Sequence, residues 1–146
     1  MSDRDVSLFV VDLLVAADKI RRYLEPVSDV QDFVRSELEF DAVIRELQVV
    51  GEAVNALLSA GFLDSSYRRI VDFRNQIVHA YFGIDSAIIW EVVNVKLPLL
   101  VADILKLVQS GIVDISTALS AAIADNKHAA KTVAFLEDLG SRFKKT

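Results

Sequence analysis

Residues 38–59 read LEFDAVIRELQVVGEAVNALLS. Phe40, Ile44, Leu47, Val50, Val54 and Leu57 recur at steps of three and four, the interval that keeps side chains on one face of an α-helix. A strand would alternate every second residue, and this stretch does not. The spacing predicts one long amphipathic helix that stops near Gly61. On the same helix Asp41, Arg45, Gln48, Glu52 and Asn55 fall at steps of 4, 3, 4 and 3, which makes a single polar stripe. Two readings of it stand. Either Asp41, Arg45 and Glu52 support a cleft, or the stripe is a solvated face with an Asp41–Arg45 pair worth a few tenths of a kcal/mol. Gly51 sits mid-helix, where it costs about 1 kcal/mol relative to Ala. Close approach of a neighbouring helix is the expected compensation.

The flanking sequence repeats the helical pattern. A first helix is expected over residues 5–25, capped by Ser2 or Asp3 and closed by Pro26, with Phe9, Leu13, Ala17, Ile20 and Leu24 as its apolar stripe. A short helix is expected over 30–35. A fourth should run over 64–79 with Asp64 as N-cap. Asp85 can cap a fifth, which passes Trp90, kinks at Pro98 and ends at Gly111. Ser116 opens a final helix to about Leu139, followed by Arg142, Lys144 and Lys145. With two prolines and five glycines, which apart from the mid-helix Gly51 sit between or near periodic segments, the fold class is all-α. The expected architecture is an antiparallel helical bundle over residues 1–110 and an extra C-terminal helix over 111–146, packed on or beside it.

The chain has 146 residues, 53% of them hydrophobic, enough for a real core. A large core or an apolar face buried against a second copy would each account for that fraction. The net charge of −5 argues against a protein that coats nucleic acid through a broad basic face, but not against a local site with a few cations. There is no cysteine, hence no disulfide, thiolate metal site or cysteine nucleophile. The longest run without Asp, Glu, Lys or Arg is 11 residues, 53–63, against the roughly 20 that a membrane span needs. The N-terminal sequence has no small-residue cleavage site and reads as lacking a signal peptide, so a cytoplasmic protein is expected.

One segment concentrates chemistry: Phe73-Arg74-Asn75-Gln76-Ile77-Val78-His79-Ala80-Tyr81. Phe73, Ile77 and Ala80 make its inward stripe. Asn75 and His79 are four apart and share a face. Arg74 and Tyr81 are seven apart and roughly eclipse each other if the helix persists. Arg74 and His79 are five apart, about 140° around the axis, so they flank a surface rather than stack. Substrate would lie across the helix end, or a facing copy would complete the site. Arg offers a planar fork of donors to phosphate oxygens, and His titrates near neutral pH and can pass a proton. RNA brings its own nucleophile, the 2′-hydroxyl, so no metal is required. His79 and His128 are the only imidazoles and form no His-x3-His pair, which argues against metal ligation. The bland alternative is a His that partners the helix dipole and an Arg that covers a helix seam.

Arg74-Asn75-x-x-x-His79-x-Tyr81 resembles the signature of the HEPN superfamily, Arg followed by four to six residues and His. With Asn after Arg and Tyr two after His, it is similar to the HepT-like toxins. AVIRELQVVGEAVNAL (42–57) before the motif and YFGID (81–85) after it agree, and the likeness spans roughly residues 8–107. The resemblance implies a HEPN-type helical bundle, a homodimer that brings two motifs into one cleft, and metal-independent endoribonuclease activity without a cofactor. Arg74, His79 and Asn75 would be the catalytic set. It also implies a minimal nucleotidyltransferase antitoxin that attaches AMP to Tyr81. Some members of the superfamily bind RNA or nucleotide without cutting, and a structural partner subunit is a third reading.

Outside the motif, Asp72 could pair with Arg68, Arg69 or Gln76 and is a further candidate for cleft support. Arg68 and Arg69 either extend a phosphate path or serve the surface. Trp90 reads as core or interface. From Lys127 onward, five basic residues against Glu137 and Asp138 give a net +3, read as a solvated helix end that could attract RNA or an acidic partner.

Overall fold

The computed structural model describes residues 2–79 and 83–143. They form helices α1 (Asp3–Tyr23), α2 (Val30–Arg35), α3 (Glu37–Ser59), α4 (Arg68–His79), α5 (Ser86–Glu91), α6 (Leu97–Gln109), α7 (Ser116–Asp125) and α8 (Ala130–Arg142). A 3₁₀ turn (Ser65–Tyr67) leads into α4, and a π-helical turn (Val92–Lys96) joins α5 to α6. No strand occurs among the described residues, so the fold is all-α as expected.

The core is organised around α1. Ser2 caps it by accepting from the Asp5 N–H. Val6, Val10, Val11, Leu13, Leu14, Ala16 and Ile20 are buried, a wider arc than the single stripe expected from the sequence. The reason is that α1 is covered on more than one side, by α3 and by α6, α7 and α8. α3 follows its expected stripe closely: Ile44, Leu47, Val50, Val54 and Leu57 are buried and Phe40 is partly so. At the end of the bundle Phe33 is fully buried against Phe40 and Trp90, with ring centroids 4.9 and 5.4 Å away. Trp90 is itself partly buried and packs against the core, the packing role read for it.

Two expectations need correction. The fifth helix does not simply kink at Pro98. Proline has no N–H to give the Asn94 carbonyl. Just before it the backbone widens, and the Leu97 N–H bonds to the Val92 carbonyl, an i→i+5 step. Pro98 then occupies the first turn of α6, where its missing donor costs nothing. The Asn94 side chain donates to the Trp90 carbonyl at 2.8 Å.

The expected single C-terminal helix is instead two. The Asn126 side chain donates to the Ala122 carbonyl at 2.8 Å, which ends α7, and the chain reverses before α8. The break lets both helices lie against α1 and each other, burying Ala118, Leu119, Leu136 and Leu139, which one straight rod could not do. A buried polar link ties the pair down. Arg22 donates to Asp18 at 2.9 Å and to the Thr132 hydroxyl on α8 at 3.0 Å.

A candidate phosphate-binding site on the third and fourth helices

The 3₁₀ turn sets the start of α4. The Asp64 carboxylate accepts from the Ser66 N–H at 2.7 Å, which holds its pKa below the ordinary value. From there α4 packs along α3 and buries Val71, Phe73 and Ile77. This burial decides which way every other side chain of α4 faces. Arg68, Asp72, Asn75 and His79, at steps of 4, 3 and 4, form the exposed stripe.

Arg74 does not join that stripe. It turns toward α3, where it crosses Gly51. A β-carbon at position 51 would lie 2.3 Å from the Arg74 Cβ and 2.4 Å from its Cγ. The cost of a mid-helix glycine is therefore offset by close packing, as expected, and the group so accommodated is the arginine itself. The guanidinium then emerges at the edge of the contact. Its Nη2 donates to Glu52 Oε1 at 3.1 Å and its Nη1 to Asn75 Oδ1 at 3.0 Å. Its Nε is buried and has no hydrogen-bond partner among the described residues. The Arg74 side chain is 29% exposed and that of Glu52 61%, so the outer face of the pair meets solvent.

The candidate residues are brought together only in part. Arg74, Asn75 and Glu52 form one hydrogen-bonded group. His79, the last residue of α4, is exposed and pairs with nothing among the described residues. It stands about 140° around the helix from Arg74, so the two flank the helix end. Tyr81 and Ala80 lie outside the described residues. Asp72 is exposed, and neither Arg68, Arg69 nor Gln76 pairs with it. Asp41 and Arg45 are exposed on the first half of α3. The stem of Arg74 lies in the helix contact, because Gly51 leaves room for it.

Between α4 and the α5–α6 helix runs an open groove of about 730 Å³. Tyr67, Phe73 and Gln76 line one wall, and Ile88, Val92 and Leu99 the other. Ile88, Val95 and Leu99 are each about half or more exposed, an apolar stripe on the outer side of that helix. Tyr67 closes the groove by donating its hydroxyl to the Asp103 carboxylate. Burial, with that bond and the adjacent charge, pushes the phenol up to about 12.

A family profile described as Ribonuclease HepT-like matches residues 13–107. The chain belongs to the HepT-like family. The match runs from α1 into α6, so α7 and α8 lie beyond it. Among its relatives, "Putative RNase MJ1380" of Methanocaldococcus jannaschii is 33% identical over 101 residues, covering 67% of this chain and 92% of that protein. "Putative RNase MJ0125" of the same organism is 29% identical, covering 67% and 86%. "Probable ribonuclease HepT" of Thermococcus cleftensis is 26% identical over 93 residues, covering 62% and 84%. No solved structure matches the chain. Among the described residues no helix is long and apolar enough to cross a membrane.

The sequence had no means of separating Glu52 from the rest of its polar stripe. Asp41, Arg45 and Glu52 share that stripe, yet only Glu52 flanks the glycine that Arg74 crosses. Glu46, six residues before Glu52 and off the polar stripe, is buried.

Proposed function

We propose that this HepT-like chain is a metal-independent endoribonuclease of toxin type. The observation that carries the reading is the Arg74 guanidinium, held at the surface by Asn75 and Glu52, on the same helix as an unpaired His79. The 2′-oxygen of the RNA attacks the adjacent phosphorus while the His79 imidazole takes its proton. Arg74 stabilises the phosphorane, whose charge builds where a guanidinium fork is already oriented. The P–O5′ bond breaks and the leaving oxygen collects a proton from the imidazolium. A 2′,3′-cyclic phosphate and a 5′-hydroxyl result. Asn75 orients Arg74, and Asp41, Arg45 and Asp72 belong to the rim of the cleft.

Arg74 and His79 diverge on one helix, so the complete cleft is assigned to a homodimer. The apolar stripe of Ile88, Val95 and Leu99 beside the α4 groove is the face given to the second copy. Tyr81 is the proposed acceptor of AMP from a minimal nucleotidyltransferase antitoxin in the cytoplasm. An added phosphate there would block RNA by charge and bulk. Mass spectrometry after co-expression with such a transferase should find the added mass on Tyr81.

The deciding assay is purified protein on mixed RNA in EDTA, wild type beside His79→Ala. Cleavage by the wild type alone, with resistance of RNA carrying a 2′-deoxy residue at the cut site, supports the proposal. Equal cutting by both preparations sinks it. The divergence of Arg74 and His79 favours a second reading, an RNA-binding module that does not cut. Binding by both proteins with cleavage by neither would establish that reading instead.

A further inference from the structure

We infer that Gly51 and Glu52 form a seat that sets the plane of the Arg74 guanidinium, and that Glu52 is a positioning residue that acts through this arginine rather than on RNA. The inference deepens the ribonuclease reading and rests on it for its catalytic consequence.

The seat has three parts. The first is Gly51. The atoms a side chain there would meet are Arg74 Cβ and Cγ, at 2.3 and 2.4 Å, with Cδ at 3.5 Å. These are the root of the arginine, tied to the backbone of α4, and cannot swing aside as a flexible tip could. The stem of Arg74 is thus confined along the α3 surface. The second part is the pair of acceptors. Glu52 follows Gly51 by one residue, and Asn75 follows Arg74 by one, so each acceptor projects from its own helix at the edge of the contact. One takes Nη2 at 3.1 Å and the other Nη1 at 3.0 Å. Two acceptors on two different nitrogens fix the plane of the group as well as its place, which a single ion pair would not do. The third part is Nε, buried with no acceptor among the described residues. An unpaired buried N–H is costly, so the head group would not choose this orientation if it were free to turn. The orientation is imposed by the stem and by the two acceptors. With Nε buried, the edge left for an incoming phosphate is the outer one formed by the two Nη groups.

A plain surface ion pair would also place Glu52 beside Arg74. The two accounts differ in what Glu52 changes. Glu52 is well exposed, so as a surface pair its loss would barely touch stability, and it would do nothing specific to turnover. As part of the seat its loss lets the fork rotate, and misorientation of a catalytic group costs rate far out of proportion to stability.

The experiment measures steady-state cleavage, thermal unfolding and ¹⁵N-arginine NMR on Glu52→Ala, Glu52→Gln and the control Glu137→Ala, a substitution at an exposed position of α8. Arg74→Lys assigns the Arg74 resonances. Glu52→Ala is expected to lower kcat about 10- to 100-fold with KM changed by no more than about 3-fold. Glu52→Gln, which keeps the acceptor oxygen, should recover most of that loss. In the wild type the Arg74 Nη protons should give separate resonances from hindered rotation, averaged in Glu52→Ala but not in Glu137→Ala. A rise in KM with kcat unchanged would show that Glu52 touches RNA and would overturn the inference. So would unrestrained Nη groups in the wild type. If the wild type cuts no RNA, the ribonuclease reading fails, while the NMR comparison still decides whether the seat exists.

Discussion

Arg74 divides its side chain between two jobs. The stem fills the space left by Gly51, and the head is presented to solvent. The division predicts different outcomes for different substitutions. Arg74→Lys keeps an aliphatic stem for the helix contact but replaces the fork with a point charge that cannot hold Glu52, Asn75 and a phosphate together. It should leave the melting temperature within a few degrees of wild type and lower RNA cleavage by about 100-fold or more. Thermal unfolding and a single-turnover assay on the same preparation check both halves. Gly51→Ala acts from the other side. The new methyl meets the root of Arg74, so α3 and α4 must part. Overpacking of this kind costs about 1–3 kcal/mol, against the roughly 1 kcal/mol that a Gly→Ala change returns in a helix. Urea unfolding should show net destabilisation. A variant more stable than wild type would mean the helices do not approach as closely as described.

Among the elements, α6 is held to the start of α4 by a hydrogen bond from Tyr67 to Asp103. The phenol is raised from its ordinary value of 10.0 to about 12 in the fold, so the folded state keeps its proton where the unfolded chain has begun to lose it. The stability this contributes is fully present below pH about 10 and is lost as pH rises through about 12. Guanidinium unfolding at a series of alkaline pH values should therefore show a decline that Tyr67→Phe flattens. At neutral pH the same variant should cost about 1 kcal/mol, since the acceptor is charged but partly solvated. A decline identical in both proteins would assign it to other groups. The π-helical turn before Pro98 belongs to the same scale: it turns the following helix and so sets where the stripe of Ile88, Val95 and Leu99 faces.

For the whole molecule two predictions follow from its surfaces. The exposed apolar stripe beside the proposed cleft suits a second copy, so light scattering at tens of micromolar should give a dimer mass. Leu99→Glu, which puts a charge on that stripe, should yield a monomer with its helical content intact. The second concerns α7 and α8, which lie outside the family match yet bury Ala118, Leu119, Leu136 and Leu139 against the rest. Deleting residues 112–146 would uncover apolar positions of α1 and leave Arg22 without Thr132. The shortened chain should aggregate or melt well below the full chain in a thermal scan. An unchanged melting temperature would make the pair a passive appendage.

Much of this was already present in the order of the residues. The three-and-four spacing of apolar side chains marks α1 and α3, Asp64 and Asp85 mark helix starts, and Arg74-Asn75-x-x-x-His79 marks the proposed site, because helix periodicity and capping are local and are written in neighbouring residues. The break at Asn126 and the π turn before Pro98 were less legible. Both depend on how a helix meets α1 and its neighbours, and a periodic pattern runs across them without interruption. The polar stripe on α3 shows the same limit. Asp41, Arg45 and Glu52 look equivalent along the chain, but only one flanks the glycine that Arg74 crosses. Which carboxylate receives the guanidinium was decided by the register of two helices, and that register is set by burying Val71, Phe73 and Ile77 across a contact no local pattern records.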